Sequence, residues 1–290
     1  TNNFANFGAG TTFTTNSSTL SGTYTLGTGT NNFVFNNTDF SGLTLDGAAG
    51  GTDTLTINGS MSGTLNNTIT GIETYEQNSS GTWSVGATPA SFTTANINAG
   101  TLDLNGNNLA VTTANIKGTL SGTGTLTGNV NILAGGNIKN TDTATASNIT
   151  GNLDFATGSN IHVTVDASKN ASNIMAGSVS NGGNVSLTAS SFLQTGDTAT
   201  IITAGSGIVG ANFTEAFNMG VLTAHFDAST GTDLIATFER TSYADFATTE
   251  ENSAALAQLD ALASNATGET LDALLALDSV QQKDFDKVAS

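Results

Sequence analysis

Gly118-Thr119-Leu120-Ser121-Gly122-Thr123-Gly124-Thr125-Leu126-Thr127-Gly128-Asn129-Val130 sets one large aliphatic residue every few positions among glycine, threonine, serine and asparagine. An amphipathic helix repeats its apolar residues at 3.6-residue intervals and disfavours glycine, so this stretch is not one. It reads as short strands that each give one or two side chains to a narrow core and then turn, as in a β-solenoid stacked coil on coil.

The same beads recur upstream. Trp83-Ser84-Val85, Ala95-Asn96-Ile97, Leu102-Asp103-Leu104, Leu109-Ala110-Val111, Asn115-Ile116, Leu120, Leu126 and Val130-Asn131-Ile132 are about five to eight residues apart, which suits a triangular coil with a turn at each corner. At roughly 20 residues per coil and about 4.8 Å between stacked strands, residues 1–160 make a slim rod roughly 40 Å tall. Nearer the start, Phe4, Phe7, Phe13, Phe33, Phe35 and Phe40 lie among Asn and Thr, with strand alternation in Thr23-Tyr24-Thr25-Leu26 and Asn32-Phe33-Val34-Phe35. Leu43-Thr44-Leu45, Leu55-Thr56-Ile57, Leu65, Ile69 and Ile72 follow, parted by glycines, and no fixed period fits them all. Identical Asn and Thr side chains stacked above one another can hydrogen-bond along the column, so a polar surface is compatible with order. The last coil would expose unpaired backbone groups, so a cap is expected.

Downstream, alternation lengthens in Ile161-His162-Val163-Thr164-Val165, Val185-Ser186-Leu187, Thr200-Ile201-Ile202, Val221-Leu222-Thr223-Ala224-His225-Phe226 and Leu234-Ile235-Ala236-Thr237-Phe238. These read as hairpin strands, with Asn181-Gly182-Gly183-Asn184 and Thr230-Gly231-Thr232-Asp233 as turns that accept positive φ. After Arg240 the pattern becomes helical. Thr248 and Glu251 have capping-box spacing, and Leu256, Leu259 and Leu262 predict a helix from about Thr249 to Ala263. Gly268 breaks it, and Leu271, Leu274, Leu275, Leu277, Phe285 and Val288 predict a second. The expected class is all-β: a parallel β-helix with coils over 1–152, a C-terminal β-hairpin cap over 153–240 and a short helical tail over 241–290.

Composition agrees. Only 10% of the 290 residues are charged, against about 25% in ordinary soluble domains, yet 37% are hydrophobic, so disorder is not expected. A solenoid lengthens by adding coils to one core, so a single long domain is read. The net charge of −17, from 23 acidic and 6 basic residues, excludes neutralisation of a phosphate backbone or docking through a polybasic patch. Nucleic acid is therefore not expected as a partner. The single proline argues against a polyproline linker, and the lack of cysteine decides little about compartment. No signal peptide and no apolar run long enough to span a bilayer is present in the sequence. A start at Thr1 and a stop at Ser290 inside an apparent helix suggest a piece of a longer protein.

Candidate chemistry is sparse. His162 and His225 sit in strand patterns with Asp166 and Asp227 nearby, but no nucleophile motif accompanies either. Two separated histidines lack zinc-ligand spacing. Gly50-Gly51-Thr52-Asp53-Thr54-Leu55 is an incomplete, unrepeated version of a calcium β-roll turn. Gly122-x-Gly124 with Gly128 lacks the helix a phosphate loop needs. Thr23/Thr25, Thr28/Thr30, Thr54/Thr56 and Thr123/Thr125 raise an ice-binding reading, without visible regular spacing on one face. Glu73 and Glu76 are read as solvated carboxylates rather than a polysaccharide-cleaving pair. No catalytic residue, cofactor, metal ligand or small-molecule substrate is expected.

Three segments resemble the C-terminal passenger region of Gram-negative type V autotransporters. Ile69-Thr70-Gly71-Ile72-Glu73 followed by Gly81-Thr82-Trp83-Ser84-Val85 is similar to that family's G-(I/F)-E … G-x-W-x-(V/L) segment. Leu120-Ser121-Gly122-Thr123-Gly124-Thr125-Leu126-Thr127-Gly128 is similar to its L-S-G-x-G-T-L-T-G coils, although Gly136-Asn137-Ile138-Lys139-Asn140 stands where the family often has S-P-G-x-S-P-G. Gly158–Asp166, Thr198–Ala204 and Asp233–Arg240, then Ser242-Tyr243-Ala244-Asp245-Phe246-Ala247 through Leu259-Asp260, follow the order of its autochaperone region and helical linker. The resemblance implies a right-handed parallel β-helix displayed at the cell surface and anchored through an outer-membrane β-barrel outside this chain. It further implies a cap that promotes folding during secretion and an adhesive role toward a host surface or another copy. Two other readings stand beside it: the stem of a secreted protease whose catalytic domain lies upstream of Thr1, and a surface-layer or ice-binding structural protein with no downstream barrel.

Overall fold

A computed structural model describes residues 4–7, 10–48, 50–66, 68–210, 212–215, 220–228, 231–263 and 266–278. Parallel strands stack into a β-solenoid of about nine turns, with two short helices near the C-terminal end.

In the deciding stretch, Thr119–Ser121 and Gly124–Ile132 are strands on successive faces of one coil. Leu120 stacks between Leu102 and Ile138, Leu126 between Leu109 and Ile149, and Val130 between Ala114 and Leu153. All three are buried, and burying such a side chain stabilises by about 1.5–3 kcal/mol. The intervening glycines are required by close approach: at Gly124 and Gly128, with φ +121° and +128°, a Cβ would lie 2.3 and 2.0 Å from the backbone oxygens of Asn107 and Val111 in the coil before.

Among the described residues the strands form three sheets. A long sheet of 13 strands runs from Thr12–Asn16 to the C-terminal end, a second of eight from Gly63–Leu65 to Thr214–Glu215, and an N-terminal one of four holds Phe4–Phe7 to Ile69–Thr70. The coil from Thr54 to Thr70 places one strand in each sheet, the three-strand coil that the apolar spacing suggested. Later coils carry two, because the long-sheet strand steps register in its middle, as between Ala110 and Thr113, and so bends round a corner.

The missing fixed period has a structural cause. Asparagines stacked in register are 20 residues apart at Asn16 and Asn36, 22 at Asn36 and Asn58, and only 16 at Asn115 and Asn131. Variation is absorbed in the corners, while strands keep their register. The core changes along the axis too. Phe33, Phe35, Phe40, Tyr75 and Trp83 fill the early coils, with Phe40 stacked on Trp83 at 4.9 Å, and mainly aliphatic side chains, joined by Phe92 and Phe155, fill the later ones.

Beyond residue 153 the structure departs from the hairpin expectation. Asn160–Val165 and Asn184–Ala189 pair parallel to each other in the second sheet, and Asn181–Asn184 is a coil corner. The strand Ser147–Phe155 runs across the position where the cap was expected to begin. Antiparallel pairing enters with Asp233–Arg240, which lies against Thr198–Ala204 on one side and Leu222–Asp227 on the other.

Helix α1 spans Glu250–Ala263 and α2 spans Glu269–Asp278, after a 3-10 turn at Tyr243–Phe246. The hydroxyl that accepts an end N–H of α1 belongs to Thr249, 3.2 Å from the Asn252 nitrogen. Leu256 and Leu274 pack with Phe192, Val221 and Tyr243 in a second apolar cluster, whereas Leu262 is exposed. Phe285 and Val288 lie outside the described residues.

Candidate functional site

Three polar systems and one groove hold this column's chemistry. The first is a ladder on the outward face of the long sheet. Asn36, Asn58, Asn78 and Asn98 each donate a side-chain N–H to the amide oxygen of the asparagine one coil earlier, beginning at Asn16, at 2.8–3.0 Å. A second run starts two positions back. Asn96 donates to Glu76, Asn115 to Asn96 and Asn131 to Asn115, and Asn98 joins the two runs by also reaching Glu76 at 3.0 Å. Each amide inside a run both donates and accepts along the axis, so these side chains are spent on one another.

A relay at one corner forms the second. The side-chain oxygen of Asn31 accepts the Thr11 N–H, Asp53 accepts that of Asn31, and Glu73 accepts that of Asp53, at 3.0, 2.7 and 2.7 Å. Asn31 and Asp53 are buried. Burial pushes the Asp53 carboxyl above its ordinary value, against the pull of the Asn31 bonds and with Glu73 adding to it. Glu73 and Glu76, expected as free in solvent, therefore tie coils together. The G-I-E and G-x-W residues gain a physical meaning here: Ile72 fills the core, Glu73 closes the relay, and Trp83 lies flat against Gly63 with its indole N–H on the Met61 carbonyl at 3.1 Å. Gly50–Leu55 belongs to the same corner, Asp53 being the relay's acceptor.

The third system closes the column. Arg240, at the end of the last antiparallel strand, makes a two-pronged bond to Asp278 at 2.7 and 2.6 Å and another to the Tyr243 hydroxyl at 2.8 Å. Its guanidinium lies 4.0 Å over the Phe192 ring and also donates to the Leu193 carbonyl at 3.1 Å. Asp278 is fully buried, as is nearly all of Tyr243. Burial, with the hydrogen bond to Asp278, pushes the Tyr243 hydroxyl well above its ordinary value. Although burial opposes it, Asp278 raises the Arg240 value further. Asp260 of α1 accepts from the Ser242 hydroxyl and the Tyr243 N–H at 2.6 and 2.9 Å, so both helices are held to one turn. Arg240, Ser242, Tyr243 and Asp260 lie in the segments that resemble an autochaperone region and its helical linker, but nothing in the sequence marked Asp278 as their partner.

The histidines do not assemble a triad. His162 lies 3.1 Å from the Asn137 amide oxygen, while Asp166 accepts N–H groups of its own turn, at Ser168 and Asn170. Burial and the nearby Lys139 lower the His162 value below that of an ordinary imidazole. His225 pairs with Glu239 at 3.1 Å, both well exposed. Among the described residues no group of three or more His, Asp or Glu side chains is placed to hold a metal. Thr54, Thr74, Thr94 and Thr113 do form a column, but the adjacent one passes from Thr56 to Glu76, Asn96 and Asn115, so paired threonine rows do not persist. Gly122 and Gly124 form a coil corner.

On the second sheet a groove of about 460 Å³ opens between Asn137, Lys139, Thr141 and His162. No helix among the described residues is long and apolar enough to cross a membrane, which leaves strand-built barrels untouched. No protein-family model matches the sequence, and no curated protein matches it.

Proposed function

We propose that this chain is the structural stem of a surface-displayed passenger of the type V autotransporter kind, with no catalytic site of its own. Its C-terminal end would be the cap that nucleates folding during secretion, and its flank would adhere to a host surface or another copy. One observation supports this above others. The parallel ladder terminates at the C-terminal side, where Asp233–Arg240 turns antiparallel and the Arg240 node clamps both helices over it. At the opposite side Thr12–Asn16 is the outermost strand of the long sheet in a parallel stack. A column closed at one end and parallel at the other suits growth by addition of coils onto a preformed C-terminal template.

Deleting residues 151–239 from the full-length gene product tests the reading in cells. The expected passenger reaches the surface in a protease-sensitive form, and cells carrying the intact protein show a protease-resistant core of the stem's size. Unchanged resistance after deletion would overturn the cap, and absence of the intact stem from the cell surface would overturn display.

A further inference from the structure

The groove on the second sheet differs in kind from the ladder face. Its floor is two outward columns in register: Thr101, Thr119 and Asn137 in one, Asp103, Ser121, Lys139 and His162 in the other. A second hollow lined by Thr101, Asp103, Ser121 and Gly122 shares Thr119, Lys139 and Thr141 with the first, so the two are one continuous trough. From the strand Thr101–Asp103 to Thr188 in Asn184–Ala189 it crosses four strand steps, about 19 Å at ~4.8 Å per step.

Its wall is built. The chain leaves the second sheet after Lys139 and loops out before re-entering the long sheet at Ser147. Buried Asn140 pins that loop by donating to the Thr145 and Asn173 carbonyls at 2.9 and 3.2 Å, and fully buried Ser172 donates to the Asn140 carbonyl at 2.7 Å. Thr141 is thereby held at the rim.

Whereas the asparagines of the ladder face consume one another, no hydrogen bond among the described residues uses the hydroxyls of Thr101, Thr119, Thr141, Thr164 or Thr188, and Lys139 makes no ion pair. Five hydroxyls and one ammonium are left facing the trough, with the Asp103 carboxylate two strand steps from Lys139 and bonded to the Asn105 N–H. No Phe, Tyr or Trp lines it, so recognition rests on hydrogen bonds and charge.

We propose that this trough binds a linear acidic oligosaccharide, seating a sugar carboxylate on Lys139 and ring hydroxyls on the threonine rows. A polyhydroxyl chain matches rows of unspent donors and acceptors. A single ammonium in a chain of net charge −17 selects an occasional carboxylate rather than a dense polyanion. The site requires only the folded chain, and is independent of where the protein is displayed.

Isothermal titration of the 290-residue chain with a neutral galactose oligomer and with the same oligomer carrying a single galacturonate residue tests it. The uronate oligomer is expected to bind about fivefold tighter, as one exposed charge pair allows, with the preference shrinking at high salt. Lys139→Met should erase the preference and leave weak binding of both. The double variant Thr119→Val with Thr141→Val should weaken both ligands severalfold, and Thr127→Ala, outside the trough, should change neither. Circular dichroism establishes that each variant is folded. Absence of binding at millimolar concentration, equal affinity for the two oligomers, or a preference that survives Lys139→Met would each overturn the proposal. Uronate binding by a chain that never reaches the cell surface would refute display alone.

Discussion

Asp53 brings a carboxylate into a buried corner and uses it as a hydrogen-bond acceptor for the Asn31 N–H at 2.7 Å. Asn31 does the same task in the coil before with a neutral amide, 3.0 Å from the Thr11 nitrogen. Asp53→Asn should therefore keep the bond, whereas Asp53→Ala orphans a buried N–H at a cost of about 1–3 kcal/mol, read from urea midpoints at neutral pH. The sign of the pH effect follows from the raised carboxyl value. The unfolded chain ionises near 3.8 and the folded one higher, so between them the native state holds more protons. This contribution is fully present below 3.8 and is lost as pH rises through the raised value; Asp53→Asn should remove that loss. Gly63 offers a second test. A Cβ there would lie 2.4 Å from the Trp83 ring, so Gly63→Ala must push Trp83 off its stack with Phe40. A cost of about 1–3 kcal/mol and a red shift of tryptophan emission are expected. Neither contact was legible in the sequence, because each joins residues about one coil apart and the coil length is not constant.

Elements were more legible where their signal is local. The helix over Thr249–Ala263 showed in its leucine spacing and matches α1 at Glu250–Ala263, and strand positions showed as isolated aliphatic residues. Strand direction did not show: Ile161–Val165 alternates as a hairpin strand would, yet pairs parallel with Asn184–Ala189. Alternation reports that one face is buried, and it is the same for either direction. What holds the helices is likewise non-local. Asp278→Ala would leave Arg240 without its carboxylate in an apolar pocket and should cost about 3–5 kcal/mol. Amide exchange is expected to accelerate in Glu269–Asp278 first, with the coils still protected. Replacing both partners, Arg240→Leu with Asp278→Leu, should recover most of that loss. Equal exchange rates in α2 of the single variant and the parent would refute the clamp.

At the scale of the molecule, each coil's backbone pairs only with its neighbours and few side chains reach further, as Phe40 does to Trp83, so stability is close to a sum over coils and interfaces. Asn96 and Asn115 occupy equivalent places 19 residues apart. Excising residues 96–114 joins Ala95 to Asn115 in register and should yield a shorter column with a native-like β spectrum and a lower Tm. Excising 96–105 breaks register, turns core side chains outward and should abolish cooperative unfolding. Similar stability of the two deletions would contradict the modular stack. The sequence by itself determined that this chain coils: sparse aliphatic residues, glycine at tight approaches and very few charges leave a narrow stacked core as the way to bury apolar area. Tertiary structure alone decided which polar groups are consumed and which remain open. Register between coils sets whether Asn meets Asn in a closed ladder or Lys139 stands beside unspent threonines. That register depends on corners of unequal length, where the sequence has no period to read.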